Sequence, residues 1–137
     1  MQKITPFLMF VGKQHGKAEE AIFSYVSLFR NSKVVSIERY GPAEGETPGT
    51  VKHALFTLNG QDFMAIESGR DHPFTFTPAM SLFVQCETED EIDRLFRELS
   101  TGGKVLMELG TYPFSKKFGW TDDKYGVSWQ LNLAEKG

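Results

Sequence analysis

One cysteine, Cys86, in 137 residues leaves no intrachain disulfide and no multi-cysteine zinc or iron–sulfur site. Positive charge is scarce too. Lys and Arg number 15 against 18 Asp and Glu, a net charge of −3, so no basic surface for nucleic acid or an anionic membrane is expected. No apolar run reaches the roughly 18–20 residues that cross a bilayer as a helix. The opening MQKITPFLMFVGKQHG lacks a small-residue cleavage site, so a secretory signal is not expected and a reducing cytoplasm is. A phosphate-binding P-loop, an HExxH zinc helix and a GxSxG elbow are also missing. What the chain has in quantity is aromatic residues: 13%, with 12 Phe. At one domain's length, that content fills a large core or lines an apolar cavity.

Hydrophobic periodicity reads the same way twice. Ile4 to Val11 is a short apolar strand. In AEEAIFSYVSLF, Ala18, Ile22, Tyr25, Val26 and Phe29 recur at helical spacing. KVVSIERY, TVKHALFTL and QDFMAIES follow as strands, the last two joined by Asn59-Gly60, a strong hairpin signal. After GRDHPFTFTP comes a strand from about Ala79 to Glu87. Thr88 and Glu91 then form a capping box. The helix DEIDRLFREL buries Ile92, Leu95, Phe96 and Leu99 and ends at Gly102-Gly103. KVLMEL, KKFGWTD and VSWQLNL close the chain as strands, with residues 123–126 as the last turn. The expectation is an α+β protein of two βαβββ modules, residues 1–68 and 79–137, joined by loop 69–78 within one domain spanning 1–137.

Alternation assigns faces. In VSWQLNL, Val127, Trp129, Leu131 and Leu133 should lie under a helix, and Ser128, Gln130 and Asn132 should face away from it. Phe7 and Met9, Met64 and Ile66, and Ala79, Ser81 and Phe83 should share that second face with them. The lining is mostly apolar with a few hydroxyl and amide groups. It suits a small-molecule site and equally a filled barrel core.

The motifs ITPFLMFVG, AEEAIFSYVSLFRNSKV, PGTV, FTLNGQDFMA and FGWTDDKYGVSWQL cover nearly the whole chain in order. In that arrangement the sequence resembles the PhnB-like branch of the vicinal oxygen chelate superfamily, whose relatives include glyoxalase I, bleomycin-binding resistance proteins and extradiol dioxygenases. The resemblance implies two curved half-barrel sheets with helices outside, and a homodimer. In the superfamily's metalloenzymes, four side chains from the first and fourth strands of both modules hold a divalent metal. The corresponding positions read as Thr5, Met64, Ala79 and Gln130. Only Gln130 is a usual ligand type, so no metal and no other cofactor are expected. Branch members often carry a demethylubiquinone methyltransferase label. S-adenosylmethionine in its common fold needs a Gly-rich turn after the first strand, and VGKQHGK supplies none, so methyl transfer is not expected.

The favoured function is therefore binding of a small apolar or aromatic molecule by Thr5, Phe7, Met64, Ser81, Phe83, Trp120, Ser128 and Gln130. His53 and Glu67 are rim candidates. His53 reads as sharing a face with Val51, Leu55 and Thr57, and Glu67 as a strand-end charge toward solvent. His15 and His72 read as loop residues. Cys86 reads as a buried apolar-like thiol beside Met80, Leu82 and Val84. Tyr112, Phe114, Phe118, Trp120, Tyr125 and Trp129 form a dense aromatic set. The alternatives are a divalent-metal lyase, isomerase or dioxygenase, and an interaction dimer with filled barrels.

Overall fold

Pro6 decides where the first strand begins. It has no N–H to donate, and its carbonyl accepts from Met64 N at 2.9 Å. In the computed structural model, which describes residues 2–135, β1 runs Phe7–Phe10, starting later than the apolar run at Ile4 suggested. The outermost positions of the expected module spans, 1, 136 and 137, lie outside the described residues. The chain divides into two units, Met1–Thr75 and Phe76–Gly137.

In the first unit β1 is followed by α1 (Ala18–Leu28), β2 (Lys33–Arg39), β3 (Val51–Leu58) and β4 (Gln61–Glu67). The sheet order is β1-β4-β3-β2. β1 lies parallel to β4, Phe7 opposite Met64 and Leu8 opposite Ala65, and the other pairs are antiparallel. The β3–β4 hairpin turns on Asn59 and Gly60, with φ of 49° and 80°, the left-handed pair that a two-residue hairpin requires. Ala18, Ala21, Ile22 and Tyr25 form the buried stripe of α1, while Val26 and Phe29 are half-buried.

The second unit repeats the plan with β5 (Ser81–Cys86), α2 (Glu89–Ser100), β6 (Lys104–Tyr112), β7 (Ser115–Asp122) and β8 (Ser128–Leu133), in the order β5-β8-β7-β6. β5 begins two residues after the expected Ala79. The Thr88 hydroxyl accepts from Glu91 N at 3.2 Å. Glu91 Oε1 accepts from Glu87 N at 3.1 Å, one residue before the partner a capping box would use. Ile92, Leu95, Phe96 and Leu99 are buried as the spacing predicts.

The molecule is thus α+β, two four-stranded sheets with one helix belonging to each. The units correspond residue by residue: Ser68 N closes onto Phe10 O, and Ala134 N onto Cys86 O. Phe7 opposite Met64 therefore matches Phe83 opposite Gln130. Among the described residues no helix is long and apolar enough to cross a membrane.

Candidate functional site

Strand alternation gives each sheet one face under its helix and one face without a helix. On the second sheet that open face is a grid of three rows. Ser81, Ser128 and Asp122 form the first; Phe83, Gln130 and Trp120 the second; Gln85, Asn132 and Phe118 the third. Five of the residues expected to bind ligand fall in the first two rows, and four of them are joined by hydrogen bonds. Trp120 Nε1 donates to Ser128 Oγ at 2.9 Å, the Ser81 and Ser128 hydroxyls are 2.7 Å apart, and Gln130 Nε2 donates to Ser81 Oγ at 3.4 Å. In the third row Asn132 Nδ2 donates to Gln85 Oε1 at 2.9 Å, and Ser115 Oγ donates to Asn132 Oδ1. Phe83 stands beside this ladder, 55% exposed.

The expected aromatic set separates into groups. Tyr112, Phe114 and Phe118 pack ring to ring, with Phe118 edge-on to the other two at 6.0 and 5.0 Å between centroids. Trp120 belongs to the polar ladder. Trp129 is buried on the opposite side, where its Nε1 donates to Asp123 Oδ2 at 2.9 Å. Asp123 Oδ1 also accepts from Tyr125 N and Val127 N, which fixes the last turn. The sequence reading placed Asp123 in the last turn without giving its carboxylate this role, and it did not single out the neighbouring Asp122. For Asp122 the signal existed, since it stands two residues after Trp120 and so leaves the strand on the same side.

The open face of the first sheet is apolar, with Phe7 and Met64 in register and Met9 and Ile66 in the next row. His53 meets Phe7 edge-on, ring centroids 5.9 Å apart. It shares this face with Leu55 and Thr57, but not with Val51. A bulge at Lys52 makes Arg39 pair with Val51 while Glu38 pairs with His53, and this turns Val51 into the core. Thr5 precedes β1, half-buried.

The placements of Glu67 and Ala79 also require correction. Glu67 is neither at a rim nor solvent-facing: it is 1% exposed, on the side of Phe63 and Ala65. Its Oε2 accepts from Gly16 N and Ala18 N, and its Oε1 accepts from Val51 N at 2.9 Å. Lys17 gives α1 no side-chain cap, so the β4 carboxylate takes that place, where the helix dipole favours negative charge. Ala79 is exposed in the turn before β5 and pairs with no strand residue. The residue matching Thr5 in the repeat is Ser81, because each stands two positions before its paired Phe.

The remaining candidates lie away from these faces. Met80 is exposed, not on the helix side. Cys86 is buried, and burial, with Glu91 adding to it, pushes its thiol up to about 12. A thiol so held is not a nucleophile. His72 Nε2 is 2.8 Å from Ser68 Oγ. His15 Nε2 is 3.9 Å from Glu46 Oε1, which accepts from Gly69 N at 2.8 Å. Gly45, Glu46, Thr47, Gly69 and Arg70 line an open groove of about 370 Å³, polar and apart from the sheet faces. Among the described residues no three His, Cys, Asp or Glu side chains converge as metal ligands would.

A family model described as 3-demethylubiquinone-9 3-methyltransferase matches residues 2–132. The chain belongs to this PhnB-like family. A PhnB protein from Bacillus cereus superposes on this PhnB-like chain with a TM-score of 0.92 and 63% identity, over 97% of this chain and all of its own. Protein YjdN of Escherichia coli (strain K12) is 29% identical over 99 residues, 69% of this chain; the match spans 65% of YjdN, just under two thirds. The fosfomycin resistance protein FosX from Listeria monocytogenes shares the fold, with a TM-score of 0.66 at 11% identity over 98% of this chain and 94% of FosX. The two βαβββ units thus have the glyoxalase/bleomycin resistance fold.

Proposed function

We propose that this PhnB-like chain binds a small molecule with an apolar or aromatic body on the open face of its second sheet and holds no resident metal ion. The observation that carries the reading is the ladder of Trp120, Ser128, Ser81 and Gln130 beside exposed Phe83. Covering a Phe side chain stabilises a complex by about 1.5–3 kcal/mol, and a few placed polar groups orient what covers it.

Donor chemistry argues against a dication. The positions matching the superfamily's ligand strands carry a hydroxyl (Thr5, Ser81), a thioether (Met64) and an amide (Gln130). Thioether sulfur suits soft copper, and a catalytic zinc site takes three protein ligands. These residues do not fit a divalent metal. The family description names a methyltransferase, but both sheets are mixed and four-stranded rather than doubly wound and parallel, and the turn after β1, VGKQHGK, is not the Gly-rich turn that would cradle S-adenosylmethionine.

A homodimer belongs to the same reading. β1 and β5 are edge strands, and matching positions at both expose large apolar side chains. Ile4 is 86% and Met80 64% exposed, and Phe7, at 50%, matches Phe83. Edges of this kind are ordinarily covered by a partner.

The test is titration of the full-length protein with a panel of aromatic compounds, followed by Trp120 emission, alongside metal analysis of protein purified without chelator. Saturable binding that weakens at least tenfold in Ser128→Ala and Gln130→Ala supports the reading. No binding, together with about one divalent ion per chain, overturns it in favour of the metal-dependent enzyme.

A further inference from the structure

Asp122 has no part in the ladder. It lies opposite Ser128 across the β7–β8 pair and two residues beyond Trp120, so its side chain leaves the sheet on the open face, in the first row of the grid. Its Oδ1 is buried and has no hydrogen-bond partner. The adjacent Asp123, by contrast, receives Tyr125 N, Val127 N and Trp129 Nε1. Two successive carboxylates are therefore treated in opposite ways: one is saturated by the fold, and the other has an acceptor left over. Buried acceptors in folded proteins ordinarily have a donor, so each exception calls for an explanation.

The other groups on the face do not supply that donor. The indole N–H of Trp120 goes to Ser128, one amide N–H of Gln130 goes to Ser81, and one hydroxyl hydrogen lies between Ser81 and Ser128. Lys104, opposite Asp122 on β6, is exposed and forms no ion pair with it. Burial pushes the Asp122 carboxyl up from its ordinary value, with Lys104 pulling the other way. No donor of the face reaches the buried Asp122 oxygen, so the face favours a ligand that brings a donor and positive charge to it. Trp120 and Phe83 flank Gln130 in the next row, about 7 Å further along the strands.

We infer that the ligand of the second sheet is an amphiphilic amine, its ammonium group received by Asp122 and its aromatic or aliphatic body laid across Gln130 toward Trp120 and Phe83. The inference rests on the small-molecule reading above and adds the ligand's charge and the residue that selects it. No bond is made or broken.

Two probes of matched shape, 4-phenylbutylamine and 4-phenylbutanol, are titrated into the full-length protein by calorimetry at pH 7.5. The amine should bind the unaltered protein at least tenfold more tightly than the alcohol. In Asp122→Asn, a near-isosteric change, the amine should weaken at least tenfold while the alcohol stays within twofold. Equal affinity for the two probes in the unaltered protein overturns the assignment while leaving small-molecule binding in place. A preference that persists in Asp122→Asn also overturns it. Binding of neither probe counts against both readings.

Discussion

Glu67 holds three segments together through one carboxylate: the turn at Gly16, the first residue of α1 and the start of β3. Charge-assisted bonds of this type contribute about 1.5–3 kcal/mol each. Glu67→Gln, which presents an N–H₂ group to backbone donors, should therefore lower stability by about 2 kcal/mol or more, read as a reduced urea midpoint with unchanged slope. Period-two alternation already placed Glu67 with Phe63 and Ala65, but its charge argued for solvent. The compensating N–H groups come from residues 16, 18 and 51, which no local pattern connects to residue 67. Asp122 poses the opposite case. Its carboxyl is raised by burial against the pull of Lys104 on β6, and its partner on β8, Ser128, is uncharged. A raised folded-state pKa means that the stabilising contribution is present below the ordinary carboxylate value, about 3.9, and is lost as pH rises through the raised one. Asp122→Asn should therefore gain in melting temperature over the unaltered protein as pH goes from 4 to 7.5; thermal unfolding at both ends checks this, and a difference independent of pH refutes it. Cys86, with its thiol pushed up to about 12 and its side chain buried, should resist iodoacetamide at pH 8 in the native protein and react once the protein is unfolded in urea. Peptide mass spectrometry reads the difference.

At the scale of elements, α2 lies close against its sheet because position 119 has no side chain. A Cβ there would stand 2.4 Å from Phe96 Cε1 and 3.3 Å from Leu109 Cδ1. Gly119→Ala should cost about 1–3 kcal/mol through overpacking, measured by chemical denaturation. Thr88→Ala, which removes the acceptor for Glu91 N, should cost about 1 kcal/mol. The start of α2 was legible because its cap is local, with Thr88 and Glu91 three residues apart. The start of α1 was legible only as a change of periodicity, since its cap is Glu67. The hairpin at Asn59-Gly60 was legible because φ near 49° and 80° demands those residue types. The bulge at Lys52 was not. A bulge is settled by how β2 and β3 twist on each other, and it moved Val51 from the face of His53 into the core.

For the whole molecule, the proposal that a second copy covers the exposed apolar positions beside the edge strands β1 and β5 makes a direct prediction. Sedimentation equilibrium should give twice the chain mass, and replacing Ile4 and Met80 together by Lys should shift the protein toward monomer. A monomer at all concentrations in the unaltered protein would remove the dimer from the proposal. The sequence by itself determined the order of elements, the repetition of βαβββ and, where no bulge intervenes, the side of a strand that lies under a helix, because these follow from spacings of two and of three to four residues and from turns with obligatory residue types. Only the tertiary structure decided which polar groups are spent and which are left. Glu67 and Asp123 are saturated by backbone and indole N–H groups, the serine–glutamine–tryptophan ladder links three strands by hydrogen bonds, and Asp122 keeps an acceptor without a donor. Periodicity records on which side of a strand a residue lies. Whether a donor stands within about 3 Å of it depends on strand register and on segments far away in the chain.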